Sequence, residues 1–325
     1  AQGLLKWVGG IHTQVSGTIA AVIDERGDIS RVDFDVASGA GTVDWPEIWK
    51  DPVAFDQTTA RGAVVDGLRA IRFDDFFAQT GDSSGQAKGL LTFDEVGIGI
   101  TADASWQDVP MERLDELWPV NLVPPTRAWV MKNVHGGTVP KGSVRLRIGP
   151  EGLRGQALNG DEVDLVFAFT DAVATIEPSR PHLTGARGTG HLTATTFDLA
   201  VTEANIGALE VTEGVLHIDG LDTTGPSMVI DLVVTGTTAD AIEILNRPPV
   251  NLDGILLPGA PPLGGIMAAR AQITMPVQPV ILPSQMKFAA AANVREFSME
   301  DPNGRYNLSQ GSLTVRADAN SAVIS

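Results

Sequence analysis

Apolar residues recur at every second position along most of this chain, and no other feature restricts its fold so strongly. In the stretch EVDLVFAFT, Val163, Leu165, Phe167 and Phe169 fall on one side of an extended backbone. Asp164, Val166 and Ala168 fall on the other. A period of two does not map onto a helix face; it specifies strands with one dry and one wet side. The pattern returns downstream, where Arg145 and Arg147 oppose Leu146 and Ile148, Leu216 and Ile218 oppose His217 and Asp219, and Leu313 and Val315 oppose Thr314 and Arg316. Ile230, Leu232 and Val234 share a face, as do Phe288, Ala290, Ala292 and Val294. Antiparallel sheets tolerate one wet face and parallel sheets rarely do, so a long antiparallel meander is expected. Asn159-Gly160 predicts a type I′ hairpin, and Arg26-Gly27-Asp28 and Glu213-Gly214 predict further turns.

Composition agrees with many short strands: 35 glycines and 20 prolines supply turns, while charged residues reach only 19%. A net charge of −17 repels nucleic acid and anionic lipid headgroups over a general surface, and no basic cluster reverses this, so nucleic-acid binding is not expected. The absence of cysteine excludes a disulfide framework and a thiolate zinc site. No stretch approaches the ~20 apolar residues that span a bilayer as a helix. The opening AQGLLKWVGG has no charged leader and no initiator Met, and SLTVRADANSAVIS ends in or just after an alternating strand, so the chain is expected to be a piece of a longer protein.

Two segments break the strand rhythm. In the first, from about Gln107 to Val134, Pro110 suits a first helical turn and Met111, Leu114, Leu117 and Trp118 recur at helical spacing until Pro119. A second helix is expected from Pro125, carrying Trp129, Val130 and Val134 and leaving through a Gly136-Gly137 cap. The second interruption is TADAIEILNRPP, with Thr238 as N-cap, Ile242 and Leu245 as its apolar face and Pro248 as terminator. The two segments share an order of short matches: Thr101-Ala102-Asp103 with Thr238-Ala239-Asp240, Pro119-Val120-Asn121 with Pro249-Val250-Asn251, and Gly136-Gly137 with Gly264-Gly265. A duplicated strand–helix–loop–strand unit accounts for that order, the first copy being longer by about two helical turns. The expected organisation is a β-groove segment over 1–103, a helical hairpin insertion over 104–137, a β-meander over 138–236 and a second strand–helix–strand unit over 237–325.

The segment LWPVNLVPPTRAWVMKNVHGGTV, with VDWPEIWKDPVAF before it and ADAIEILNRPPVNL, GGIMAARAQITMPV and AANVREFSMED after it, resembles the AsmA-like superfamily, in particular its YhdP-type branch of bacterial envelope proteins. The resemblance runs over most of the chain and rests on structural Trp, Pro and Gly positions, so it points to a family more than to a chemistry. It implies an elongated, curled antiparallel sheet folded like a gutter, with short helical insertions. It also implies a periplasmic location, anchorage in the inner membrane by an N-terminal helix, and carriage of phospholipid toward the outer membrane.

A one-sided sheet must cover its apolar face, because each apolar side chain left in water forgoes roughly 1.5 to 3 kcal/mol. Either the sheet curls around an open channel that phospholipid acyl chains occupy, or it closes on an ordinary filled core. The candidate groove lining is Val163, Leu165, Phe167 and Phe169, then Leu216, Ile218, Ile230, Leu232 and Val234, then Phe288, Val294, Leu313 and Val315. Trp118 and Trp129 are read as anchors of the helical hairpin, with plugging of the groove as their functional alternative. Lipid conduit and structural envelope module therefore compete, and a carbohydrate-active β-helix enzyme ranks third because no constant rung length is present.

Signals for catalysis and cofactors are weak. Gly81-Asp82-Ser83-Ser84-Gly85 has the spacing of a nucleophile elbow, but a strand pattern follows it where a helix is needed. Gly97-Ile98-Gly99-Ile100-Thr101-Ala102 mimics a dinucleotide fingerprint yet alternates like a strand. His12, His135, His182, His191 and His217 show no metal-ligand spacing, and acidic clusters such as Asp74-Asp75 and Asp161-Glu162-Asp164 read as solvated strand ends. No enzyme activity, cofactor or metal is expected.

Overall fold

A computed structural model describes residues 9–46, 48–154, 156–175, 181–246, 263–278, 282–300, 307–318 and 321–325. The chain opens with β1 (Ile11–His12), β2 (Val15–Ile23), β3 (Ile29–Ser38), β4 (Gly41–Val43) and β5 (Val53–Phe55). β6 (Gln57–Val65), β7 (Ala70–Thr80), β8 (Ser83–Phe93) and β9 (Ile98–Pro110) follow. A 3₁₀ turn at Met111–Arg113, α1 (Leu114–Leu117) and α2 (Pro124–Asn133) interrupt them. Next come β10 (Val134–Ile148), α3 (Pro150–Leu153), β11 (Val163–Ala174), β12 (Leu183–Thr193), β13 (Thr196–Ile206), β14 (Leu209–Asp219) and β15 (Ser227–Thr237). After α4 (Thr238–Leu245), the described elements finish with β16 (Leu263–Pro276), β17 (Lys287–Glu300), β18 (Asn307–Asp318) and β19 (Ala322–Ile324).

Sixteen strands form one sheet in which nearly every strand pairs with its neighbours in sequence, from β2 and β3 through β6 to β19. β1, β4 and β5 form a separate three-stranded sheet. The protein is thus mainly β, an open antiparallel meander with a few short helices, as the alternation requires. By contact density the chain divides into two units. One holds 1–132, 138–168 and 191–195; the other holds 133–137, 169–190 and 196–325.

In the first unit, the β4–β5 connection folds over the start of β9. Trp45 and Trp49 stack at 5.7 Å, and both pack with Ile48 and Phe93 against Ile71, Leu91, Ile98 and Ile100. In the second unit, register lines up apolar residues in rows across the strands: Leu199, Leu216, Ile230, Ile273 and Phe288 are successive cross-strand partners. Val211, Val234, Ala269, Ala292 and Val315 make another row. Where the count would slip by one residue, bulges absorb it, between Val211 and Glu213, Gly264 and Ile266, and Val294 and Phe297. Left-handed residues sit at such places: Gly265 at φ 127°, Glu296 at 54° and Gln310 at 60°. Each bulge bends its strand and restores the dry face to the correct side.

Large rings on the dry face lie over glycines of the adjacent strand. A Cβ on Gly142 would enter the Trp106 indole, and one on Gly188 would meet the Phe169 ring and the Ala200 carbonyl. These two rings therefore stay close to the backbone of the adjacent strand.

Several local expectations change. Asn159-Gly160 is not a two-residue hairpin, because β10 already ends at Ile148 and α3 intervenes; the Asn159 carbonyl accepts from the Glu162 amide at 3.0 Å in a longer turn. Glu213-Gly214 lies inside β14 at a bulge, and the turn before that strand falls at Gly207 instead. Pro110 ends β9 and the first helix shrinks to a 3₁₀ turn and one α turn, since only seven residues separate it from the breaker Trp118-Pro119. α2 starts at Pro124 and stops at Asn133. Gly136-Gly137 belongs to β10, where Gly137 at φ 109° lets the backbone pass close to Thr170 and Ala172. Thr237, not Thr238, caps α4, its hydroxyl accepting from the Asp240 amide at 3.2 Å, and Leu245 is exposed while Ala241 is buried. The repeat also loses its first match: Thr101–Asp103 is strand and Thr238–Asp240 is helix. Its glycine pairs keep theirs, both lying at bulged strand starts, while Pro248 and Pro249–Asn251 fall outside the described residues. Arg26-Gly27-Asp28 and Gly81-Asp82 are turns, and Ile98–Ala102 is strand, as expected.

The Trp106–Gly142 contact gives a direct stability test. Gly142→Val should lift the indole off the sheet and cost about 1–3 kcal/mol in urea unfolding, as overpacking does, whereas Ser143→Val on the wet side of the same strand should change stability by less than about 0.5 kcal/mol.

Candidate functional site

All thirteen residues read from the sequence as groove lining lie on the dry side of their strands, but their exposure is uneven. Val163, Phe169, Val234 and Val294 are buried, and the other nine are half-buried. The unevenness is local. Along β11 the buried positions are Val163, Phe169 and Ala172, and Leu165 and Phe167 between the first two are half-buried. Along β15, Met228 and Val234 are buried while Ile230 and Leu232 are not. β10 repeats this with Val139 and Ile148 buried around Val144 and Leu146, and β13 with Phe197 and Ala204 around Leu199 and Val201. A filled β-sandwich buries strand middles most deeply, since they lie farthest from its rims. Here half-buried apolar residues recur in several strand interiors, while others there, Phe169, Val139 and Val294 among them, are buried.

Residues that the sequence reading missed complete this surface. Ala269, Ala271 and Ile273 continue the rows across β16, and Leu199 and Val201 begin them on β13. Their alternation was present in ARAQI and LAVT but diluted by alanine, and only the register shows that they align with Leu216 and Ile230.

The opposite face is built from exposed ion pairs that cross strands. In the first unit, Arg145 reaches Asp103 at 3.4 Å and Asp164 at 3.2 Å, and Asp164 also meets His191 at 3.0 Å. In the second, Asp198 pairs with His217 at 2.6 Å, Asp231 with Arg270 at 2.9 Å and Asp171 with Arg187 at 3.2 Å. Each exposed pair contributes only ~0.2–1 kcal/mol, so the ladder fixes which side is wet more than it holds the sheet together. Its hydrogen bonds still tune charge: the one from Arg72 holds the Asp74 carboxyl below the usual carboxylate range, and the one to Asp231 raises Arg270.

The helical insertion belongs to the packing of the first unit. From the far end of β9 it returns to the strand's beginning, where the Val120 amide donates to the Ile48 carbonyl at 2.8 Å and Trp49 Nε1 donates to the Leu117 carbonyl at 3.0 Å. Asn121 Nδ2 donates to the Leu153 carbonyl at 2.9 Å, tying the same tip to α3. Trp118 is half-buried with its Nε1 donating to the Leu122 carbonyl at 2.8 Å. Arg127 donates from Nε to the Trp118 carbonyl at 3.2 Å and through its terminal nitrogen to the Asp115 carbonyl and carboxylate. Trp129 is half-buried on α2. Trp118 is thus tied into the insertion through both its indole N–H and its carbonyl. The tip carries local strain: buried Val123, a β-branched residue preceding Pro124, has φ 47°, a conformation costing about 1–2 kcal/mol. Nearby, the buried Thr126 Oγ1 has no hydrogen-bond partner among the described residues.

Chemistry-bearing groups do not converge on the apolar face. Ser83 of the elbow-like spacing is buried and donates to the Asp108 carbonyl at 2.8 Å, which makes it a strand-pairing residue. Among the described residues no group of three or more His, Cys, Asp or Glu side chains is placed to hold a metal ion.

The orphan hydroxyl yields a prediction. Thr126→Val keeps the shape and removes a buried polar atom, so it should be neutral or stabilise by up to about 1–2 kcal/mol in thermal or urea unfolding; a loss above ~1 kcal/mol would reveal a partner for that oxygen.

No family model matches the chain, and no curated protein and no solved structure matches it either.

Proposed function

We propose that this chain is a segment of a bridge-like lipid transfer protein of a diderm bacterium. Its apolar sheet face carries phospholipid acyl chains between the inner and outer membranes, and it works in the periplasm without an enzymatic step. The observation that supports this reading best is a cross-strand row of half-buried apolar side chains, Leu199, Leu216, Ile230, Ile273 and Phe288. Further rows of Leu, Ile, Val and Ala run beside it across β14 to β18.

The dimensions suit the cargo. Six strands at about 4.8 Å spacing give a row roughly 24 Å long, more than the ~15 Å that one leaflet's acyl chains occupy. Each methylene moved from water onto such a surface gains about 0.8 kcal/mol, while a headgroup stays hydrated at the rim. Side chains with few aromatic rings and no fixed polar anchor in the rows suit a sliding chain over one ligand shape. The resemblance to the AsmA-like superfamily points the same way, and anchorage by an N-terminal membrane helix of the longer protein belongs to the same proposal.

Adjacent residues on opposite faces provide the test. Purified protein analysed by native mass spectrometry is expected to carry co-isolated phospholipid. Leu216→Glu and Leu232→Glu should lower that occupancy several-fold with circular dichroism unchanged, and Val215→Glu, on the wet side, should leave it intact. Lipid-free wild-type protein, together with unfolding caused by either dry-face glutamate, would mean that the face is an ordinary core and the chain a structural module of the envelope.

A further inference from the structure

Two histidines that lie far apart in sequence meet on the second unit, away from the apolar rows. His135 is the second residue of β10, Thr175 follows the last residue of β11, and His182 precedes the first residue of β12. Because β11 lies between β10 and β12, the two imidazoles approach its end from both sides. The Thr175 amide donates to the Asn133 carbonyl at 2.8 Å, which fixes the threonine beside the start of β10. His135 Nε2 then lies 3.0 Å and His182 Nδ1 2.7 Å from the same Thr175 hydroxyl oxygen. The rings stand edge to face, perpendicular, with centres 6.5 Å apart.

We propose that His135 and His182 form a binding site for a late first-row divalent metal ion of the zinc class, which takes the place of the Thr175 hydroxyl between the two ring nitrogens. The sequence spacing hid this pair, and the strand order creates it. Two ring nitrogens brought to one hydroxyl oxygen can act as a bis-imidazole chelate once the Thr175 side chain turns aside, and neutral imidazole suits zinc, nickel and copper. At metal–nitrogen distances of ~2.1 Å, two imidazoles sharing a tetrahedral ion stand with centres about 5 Å apart, so the rings must close by roughly 1 Å. Both histidines are exposed, and small side-chain rotations supply that movement. No third His, Cys, Asp or Glu joins them among the described residues, so water completes the coordination and the affinity is modest. The ion would clasp β10 to β12 across the end of β11.

The test uses untagged protein freed of metal and titrated with zinc ions in a calorimeter. One equivalent should bind per chain at pH 7.5, with affinity reduced at least tenfold in His135→Ala and in His182→Ala and unchanged in His217→Ala. Binding should weaken as the pH falls, because protons compete with the metal for imidazole nitrogen. Zinc should also raise the thermal midpoint of the wild type but of neither histidine variant, each verified as folded by circular dichroism. Absence of saturable binding, binding that survives either substitution, or equal loss in His217→Ala would overturn the proposal.

Discussion

Register is the constraint on which the rest of this molecule depends. In a strand the side chains alternate, so a slip of one residue against a neighbour would send Leu216, Ile230 and Ile273 to the water side and bring His217, Val229 and Thr274 to the dry side. Sixteen strands joined in sequence give many chances for such a slip. The ion pairs of the wet face oppose it, since Asp198 meets His217 and Asp231 meets Arg270 only in the observed alignment. Bulges at Glu296 and Gln310 act differently: they accept an extra residue locally so that the alternation beyond them stays correct.

The glycines fit the same logic. On the dry face Trp106 covers Gly142 and Phe169 covers Gly188, so the largest side chains fill the hollow left by a missing Cβ and stay close to the backbone. A sheet whose rings stood upright would need a second layer to bury them.

Most of the architecture was legible because period two is a direct imprint of the strand. Val163 to Phe169 and Ile230 to Val234 announce both their conformation and their dry side. What failed was punctuation. Glu213-Gly214 has turn chemistry, yet β14 absorbs it as a bulge, because pairing on both sides outweighs the preference of one dipeptide. Gly136-Gly137 likewise has the form of a helix cap and serves instead as the close passage of β10 past Thr170. The dry side of the candidate site was readable residue by residue, but its half-buried row was not, since exposure depends on what lies above a strand. The His135–Thr175–His182 contact was beyond reach for a similar reason: strand order across β10 to β12 makes neighbours of residues that sequence separates.

The half-open rows also carry an energetic argument about what the face is for. Nine apolar side chains of the predicted lining keep part of their surface in water. Leaving no more than about a third of each exposed forgoes roughly 0.5 kcal/mol, on the order of 4 kcal/mol together, a sizeable share of the 5–15 kcal/mol by which a typical domain is stable. Polar residues occupy many positions on the opposite face of the same strands, such as Asp164, Asp198, Asp231 and Arg270. Retaining Leu, Ile and Val in register over six strands makes sense if an occupant recovers that energy, and the recovery must be spread over many weak contacts for the occupant to move. Acyl chains meet both conditions, because every methylene contributes a similar small amount at each position along the rows.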